Sequence, residues 1–244
     1  MWPADADALV ARQEELAELT PEPWRLTNRP RVGGCWVCFP RGISGPGQAG
    51  DDAHAAAVVV RDGRLVSRAV TAGTAGAPYT PGLLALRIGP LLEGVTQALS
   101  GLPDVLLVDG TSRDHPRRAG LALHLGAELA LPTVGVTHRP LLASGPWPED
   151  ERGATGAVRI GDEVVAAWVR TCPGTRPLVV HPGWRVGLET AVEVVLAASA
   201  GRRTPEPLRM ARQLAREARA VAADALPARQ CADLSERRGP DLLA

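Results

Sequence analysis

The hydrophobic pattern of the chain changes its period near residue 70, and this change constrains the fold more than any other feature. Before it, three short apolar segments follow one another with turns between them, at residues 32–39, 55–60 and 65–70. The Asp62-Gly63 pair between the last two segments is a strong signal for a hairpin turn. After it, helical spacing alternates with unbroken apolar runs, which are typical of parallel strands covered on both faces. The sequence therefore predicts an α/β fold whose mixed sheet, an antiparallel three-stranded meander plus parallel strands, is flanked by helices.

The later part of the chain carries signals for individual elements. Thr80 followed by Pro81 predicts the start of a helix, and Pro90 predicts a kink or a split within it. A second hairpin is predicted around Gly161-Asp162. The other predicted elements are strands at 104–108, 132–136 and 177–181 and helices at 117–129, 188–200 and 205–223. This order is the one that an RNase H-like sheet uses, although order alone leaves other α/β folds open.

Length and composition place the chain among ordinary globular domains. Its 244 residues are 45% hydrophobic, and we expect one domain over 1–244, with an N-terminal helix in 1–28 and a tail at 225–244. The 27 basic side chains, all arginine, balance 27 acidic ones, so bulk charge indicates no particular partner. No apolar run approaches the roughly 20 residues of a membrane span. The first residues lack the order of a signal peptide, so we expect no membrane partner and a cytoplasmic location.

Several short motifs occur in register along most of the chain. They are Tyr79-Thr80-Pro81-Gly82, Asp109-Gly110, His115-Pro116-Arg117-Arg118, Pro132-Thr133-Val134-Gly135-Val136 and Arg203-Thr204-Pro205-Glu206-Pro207. From about residue 31 to 219 this series resembles endonuclease V, the deoxyinosine-directed nuclease family. The resemblance implies an RNase H-like fold, a role in DNA repair and a Mg²⁺-dependent hydrolysis of a phosphodiester. That reaction takes place near deoxyinosine in DNA, or near inosine in RNA.

The resemblance also implies a site at which carboxylates hold Mg²⁺, a cation that prefers hard oxygen ligands. Only Asp109, at the end of a strand, retains its carboxylate. The position of the first-strand aspartate is Trp36, and the position of the helix glutamate is Ile88. A Trp and an Ile cannot bind a hard cation, so we expect Mg²⁺ to bind weakly or not at all.

Two further positions of the family pattern also differ. The lysine of the family is His138 here, and the histidine of its late Gly-His pair is Trp184. A neutral histidine is a weaker phosphate partner than a lysine. The sequence therefore predicts a non-catalytic or severely weakened member that keeps some nucleic-acid binding.

Four other acids could replace a lost ligand, and Asp114 is the best local substitute; the others are Asp51, Asp52 and Glu93. An active nuclease that uses Asp109 with relocated acids is therefore one alternative. A second alternative is a protein- or ligand-binding module. Trp36, Ile88 and Trp184 would add apolar surface to the groove in which the resemblance places the metal site.

The resemblance implies roles for the remaining motif residues. The remnants of the catalytic site are Asp109, His115 and His138, and the nucleic-acid contacts are Tyr79, Pro81, Gly82, Gly110, Arg117 and Arg118. Tyr79 falls where the family places a wedge beside an unstacked base. The arginines around His115 suit a phosphate-binding loop, and a solvated loop explains them about as well. Tyr79 is explained equally well as a residue that closes a turn.

Two other patterns have a simpler explanation. Arg209, Arg212, Arg216 and Arg219 form a stripe on one helix face, which suits a nucleic-acid backbone but is more often a solvated face. Cys35-x-x-Cys38 lies in a strand, where residues three apart point to opposite faces. We therefore expect two small core residues there rather than a zinc or redox site.

Overall fold

One mixed sheet of eight strands organises the part of the chain that the computed structural model describes, residues 2–43 and 45–236, with side chains described through residue 224. The strands are β1 (Val32–Cys38), β2 (Asp52–Arg61), β3 (Arg64–Thr74), β4 (Val105–Val108), β5 (Thr133–Thr137), β6 (Thr155–Ile160), β7 (Glu163–Val169) and β8 (Leu178–Pro182). The helices are α1 (Ala6–Glu18), α2 (Leu84–Gln97), α3 (Leu121–Leu129), α4 (Leu188–Ser199) and α5 (Glu206–Glu236). The strand order is β3-β2-β1-β4-β5-β8-β7-β6.

The sheet confirms the predicted fold class. Strands β1, β2 and β3 form the antiparallel meander, and β1, β4 and β5 run parallel. Asp62 and Gly63 have φ angles of 52° and 71°, the positive values that a tight hairpin turn demands at both central residues. The second hairpin, β6–β7, turns at Gly161 and Asp162 as predicted. Strand β8 is antiparallel to both of its neighbours, an orientation that the sequence pattern did not specify.

Two helices begin later than the sequence predicts. α2 begins at Leu84 rather than at Pro81, because Gly82 takes a φ of 77° and so cannot belong to a right-handed helix. α3 begins at Leu121 rather than at Arg117, because Arg118 has a φ of 56°. Pro90 lies inside α2, so the predicted split of this helix is wrong.

Both terminal segments contain helix where they are described. The helix predicted within 1–28 spans Ala6–Glu18. The tail predicted from residue 225 instead continues α5 as far as Glu236, and residues 237–244 lie outside the described part of the chain. None of the described helices is long and apolar enough to cross a membrane.

Helices cover both faces of the sheet and give it two main apolar cores. α2 and α3 pack on one face, where Leu106 and Val108 of β4 point, with α1 outside them. α4 and α5 pack on the other face, which buries Val105 and Leu107. This alternation along β4 explains its unbroken apolar sequence, because both faces of the strand are buried.

β1 lies directly against α5, and this contact decides which side chains face the site. A Cβ at Gly34 would lie 2.5 Å from the carbonyl carbon of Pro207, so the close approach of the strand and the helix requires glycine. The sulfur of Cys38 lies 3.0 Å from the carbonyl oxygen of Ala215 on α5. Cys35, in contrast, packs in the core on the α2 side, and both cysteines are free thiols. The two sulfurs thus point to opposite faces, as the strand periodicity predicts.

Three buried histidines lead to a prediction about stability. His115, His124 and His181 are at most 4% exposed, and burial lowers the pKa of each to about 4. In the unfolded chain these histidines bind protons below about pH 6.5, whereas in the folded protein they stay neutral until about pH 4. We therefore expect the free energy of unfolding, measured with urea, to fall between pH 7.5 and pH 5. The loss is roughly 2 kcal/mol for each histidine.

One carboxyl group opposes this trend without reversing it. The pKa of Asp109 is raised, so the folded protein gains stability as that group takes up a proton in the same interval. Equal unfolding free energies at pH 7.5 and pH 5 would contradict the assignment of neutral, buried histidines.

Candidate functional site

A cleft of about 470 Å³ opens between the turn before α2, the end of β4 and the segment that follows β5. The cleft is lined by seven of the residues that the sequence assigns to the site: Tyr79, Pro81, Gly82, Asp109, Gly110, His115 and His138. Its volume is in the range that small-molecule and cofactor sites usually have. The cleft is therefore the candidate functional site.

Three side chains fix the rim of the cleft at one carbonyl group. The Gly82 oxygen accepts hydrogen bonds from Gln13 Nε2 at 3.2 Å, from the Arg117 guanidinium at 2.8 Å and from His115 Nε2 at 3.2 Å. Gln13 comes from α1 and is 2% exposed. Sequence reasoning did not assign it to the site, although a glutamine among the apolar positions of α1 was the available signal. The turn that carries Pro81 and Gly82 is held in place by these three donors.

Both ring nitrogens of His115 take part in hydrogen bonds at the rim. Its Nδ1 accepts a hydrogen bond from the Arg117 backbone N–H at 3.3 Å, so its Nε2 carries the proton that it donates to Gly82. Burial, followed by the positive charge of Arg117, lowers the pKa of His115 to about 4. The imidazole is therefore neutral at physiological pH, with both nitrogens engaged.

The two arginines of the same motif are held by protein atoms. Arg117 donates to the Gln13 side-chain oxygen at 2.6 Å as well as to Gly82. Arg118 pairs with Glu163 at 2.8 Å, on the first residue of β7. The structure thus directs both guanidinium groups to protein contacts, and neither lines the cleft. Their assignment to nucleic-acid binding stays a prediction.

Asp109 lies at the floor of the cleft, one residue beyond β4. The Gly110 N–H donates to the Val108 oxygen at 2.9 Å, which closes a tight turn around Asp109. Asp109 is exposed, and its carboxylate reaches solvent through the cleft, although the protein on its other sides partly desolvates it. This desolvation raises the pKa of Asp109 to about 6, and the positive charge of Arg212 opposes the rise.

Trp36 lies on β1, beside the end of β4 that Asp109 follows. The parallel register of β1 and β4 pairs Cys35 with Val108, and the next residues along the chain are Trp36 and Asp109. Trp36 packs with Cys38 and Ala56 on the α5 face. The Trp36 indole thus lies on the α5 face, next to the end of β4 from which Asp109 follows.

Asp114, the best local substitute for a lost ligand, is fully occupied elsewhere. It is 0% exposed, and its carboxylate accepts three backbone hydrogen bonds. The donors are the N–H groups of Leu141 at 2.6 Å, Leu142 at 2.8 Å and Ala143 at 2.9 Å. Asp114 thus anchors the segment that forms one wall of the cleft.

The three other acids also lie away from Asp109. Asp51 pairs with Arg87 at 2.9 Å, and Glu93 accepts a hydrogen bond from Trp2 at 2.6 Å. Asp52 is at the far end of β2, four residues from Ala56, which is the partner of Trp36. At about 3.3 Å per residue, this separation is roughly 13 Å along the strand. None of the three is placed to share a metal with Asp109.

The residues around Asp109 do not fit a Mg²⁺ ion. In the described part of the chain, no three His, Cys, Asp or Glu side chains cluster so that they could hold a metal. Asp109 supplies one carboxylate, the β1 residue next to the end of β4 is Trp36, and the nearby charge on α5 is the cation Arg212. Mg²⁺ needs several hard oxygen ligands, and a neighbouring cation opposes its binding.

The apolar replacements do not form the single groove expected of a ligand-binding module. Trp184 packs with Leu16 and Leu123 between α1 and α3, and Ile88 packs against the core on the α2 side. Trp36 lies on the α5 face, and none of the three lines the cleft. The three residues thus lie in separate clusters, and the alternative of a protein- or ligand-binding module stays a hypothesis.

A second groove of about 760 Å³ runs along α5 and is rich in arginine. Arg209, Arg212, Arg216 and Arg219 line it together with Arg41 from the loop after β1. His138, at the cleft, has its pKa lowered by desolvation and then by the charges of Arg203 and Arg212, so it is neutral at physiological pH. The positive charge at this end of the molecule is therefore carried by arginines, not by His138.

Comparisons with known proteins agree with this architecture. The family model for endonuclease V matches residues 28–213. An endonuclease V of Streptomyces coelicolor is 38% identical over 221 residues, which cover 89% of this chain and 92% of that protein. The crystal structure of the Streptomyces avermitilis endonuclease V superposes with a TM-score of 0.82 at 35% identity and covers 91% of this chain and 96% of its own. A Ciona intestinalis endonuclease V was solved in complex with a 24mer DNA containing an inosine. It superposes with a TM-score of 0.71 at 25% identity and covers 87% of this chain and 98% of its own.

The contacts of Asp114 predict a purely structural effect of its removal. Asp114→Ala should lower the free energy of unfolding by about 2 kcal/mol, because three backbone donors lose a charged acceptor. Hydrogen exchange at the amides of residues 141–143 should become faster. Asp52→Ala, at an exposed position, is the matched control and should change the unfolding free energy by less than about 0.5 kcal/mol. Unchanged stability and exchange in Asp114→Ala would contradict the anchoring role.

Proposed function

The chain belongs to the endonuclease V family, and we propose that this member binds nucleic acid at the cleft without hydrolysing it. In this proposal an unstacked base, inosine or deoxyinosine by analogy with the family, enters the cleft beside Tyr79. The phosphodiester next to it stays intact. The observation that carries the proposal is the donor set at Asp109: one carboxylate, with no cluster of metal-binding side chains around it in the described residues.

The loss of hydrolysis follows from the chemistry of that donor set. In the family reaction, a bound Mg²⁺ supplies an activated water and stabilises the leaving oxygen. A single carboxylate beside an indole does not hold such an ion, and the candidate substitutes are engaged elsewhere. His115 offers no replacement, because it is neutral and both of its nitrogens are hydrogen-bonded. The alternative of an active nuclease with relocated acids has no support from these contacts.

Retained binding is supported by the shape and the chemistry of the cleft. The turn at Pro81 and Gly82 keeps a rigid rim, held by three donors. Tyr79 is 50% exposed at this rim, so its ring is available to stack on a base. Arg139 is exposed on the opposite wall and can meet the phosphate backbone. The Ciona intestinalis relative, solved with inosine-containing DNA, supports the same class of ligand.

The proposal predicts metal-independent binding without cleavage. A fluorescently labelled single-stranded oligonucleotide with one deoxyinosine should bind with the same affinity in EDTA and in Mg²⁺, measured by anisotropy. On a denaturing gel it should remain uncut in Mg²⁺, while an active member of the family cuts it under the same conditions. Cleavage at a family-like rate, abolished by Asp109→Ala, would overturn the proposal.

A second prediction tests whether the base lies beside Tyr79. Tyr79→Ala should weaken binding by about tenfold, because stacking on an aromatic ring contributes roughly 1–3 kcal/mol per base. Val66→Ala is the matched control, since Val66 is 52% exposed on the edge strand β3, away from the cleft. Equal weakening by the two variants, or by neither, would exclude Tyr79 as the stacking residue.

A further inference from the structure

Arg212 on α5 lies over the position where the family resemblance places a metal-binding carboxylate. Its guanidinium carbon is 5.6 Å from the centre of the Trp36 ring. Trp36 lies on β1, beside the end of β4 that Asp109 follows. The Arg212 charge also acts on Asp109 and on His138, both of which line the cleft. A fixed cation is thus present at this centre, on a helix that the Gly34 contact holds tightly against β1.

The donors of Arg212 are not used by the protein. Within the described residues, its guanidinium has neither a hydrogen-bond acceptor nor an ion-pair partner, and the same holds for Arg216 one turn further along α5. Two other members of the stripe are engaged, Arg209 with Glu206 at 2.8 Å and Arg219 with the Phe39 carbonyl at 3.3 Å. A half-buried guanidinium with free donors on an aromatic platform is well suited to bind an oxyanion through two parallel hydrogen bonds.

Arg212 links the arginine groove to the cleft. It lines the groove, and its charge acts on Asp109 and His138, which line the cleft. A polynucleotide that places a base in the cleft therefore has its adjoining backbone near Arg212. We propose that the Arg212 guanidinium replaces the metal cation of the family and binds a backbone phosphate next to the base held in the cleft, with Trp36 as its platform. This inference rests on the proposed function.

The charge balance supports a phosphate as the ligand. An acidic metal site without its metal repels a phosphodiester, because several carboxylates face the same anion. Here Trp36 and Ile88 remove two of those negative charges, and Arg212 adds a positive one. Asp109 remains, but it is a single charge opposed by Arg212. The replacements together convert a cation-binding centre into one that attracts an anion without a metal.

The acidic residues of the groove define which part of it binds phosphate. Glu217 and Asp224 line the groove too, but they lie five and twelve residues beyond Arg212 on α5. At 1.5 Å per residue these separations are roughly 8 and 18 Å along the helix axis. Asp52 lies at the distant end of β2. The acids of α5 that line the groove therefore lie beyond Arg212, whose own positive charge has no ion-pair partner among the described residues.

Two measurements on Arg212→Gln test the proposal. In the first, inorganic phosphate replaces chloride at constant ionic strength, and thermal unfolding is recorded. Phosphate should raise the Tm of the wild type by about 2 °C or more and have no effect on the variant, since a ligand that binds only the folded state stabilises it. In the second, binding of the deoxyinosine oligonucleotide is measured in EDTA over a range of salt concentrations. The variant should bind about tenfold more weakly, with a salt slope reduced by roughly 0.7 for one lost phosphate contact.

Arg68→Gln is the matched control, because Arg68 is exposed on β3, at the opposite edge of the meander from β1. It should keep both the phosphate effect and the oligonucleotide affinity. If Arg212→Gln also keeps both, the proposal is overturned. If only the phosphate effect is lost while neither protein binds the oligonucleotide, an anion site is supported and the proposed nucleic-acid function fails. If the wild type binds the oligonucleotide but Arg212→Gln binds it equally well, the function stands and the role of Arg212 is rejected.

Discussion

The packing of α5 across β1 is the constraint on which the rest of the site depends. Gly34 allows the helix backbone to approach the strand, and Cys38 contacts Ala215 two turns further along. Between these two contacts, Trp36 faces Arg212. Because β1 and β4 are parallel neighbours, the same contact brings the charge of α5 to Asp109. A shift of α5 would separate the only carboxylate of the centre from the cation that opposes it.

The replacements at this centre are physically consistent with one another. A carboxylate cluster is stable only when a metal or another cation compensates its charge. Asp109 is a single carboxylate close to the charge of Arg212, so its charge can be compensated without a metal. The scaffold around it is intact, because Gly82 is held by three donors and Asp114 anchors the opposite wall. The site has thus changed its charge without losing its shape, which is the basis for proposing binding without hydrolysis.

The sequence predicted the parts of the structure that local signals control. The Asp62-Gly63 turn, the two hairpins and the unbroken apolar run of β4 each follow from a short pattern, and the motif series indicated the RNase H-like order of strands. The helix starts were missed because Gly82 and Arg118 adopt positive φ angles at turns that tertiary contacts hold in place. The contacts of Asp114, Gln13 and Arg212 were also out of reach, although Gln13 stood out among apolar positions and Arg212 belonged to the arginine stripe. They depend on residues between 27 and 176 positions away, which no local pattern reveals.

The central claim is that this member of the family holds no catalytic metal at Asp109. Mn²⁺, which electron paramagnetic resonance detects directly, can be titrated into the protein with the deoxyinosine oligonucleotide present. The account predicts no saturable site, and the same free-ion signal for the wild type and for Asp109→Ala. One tightly bound ion per molecule, lost in Asp109→Ala, would contradict it.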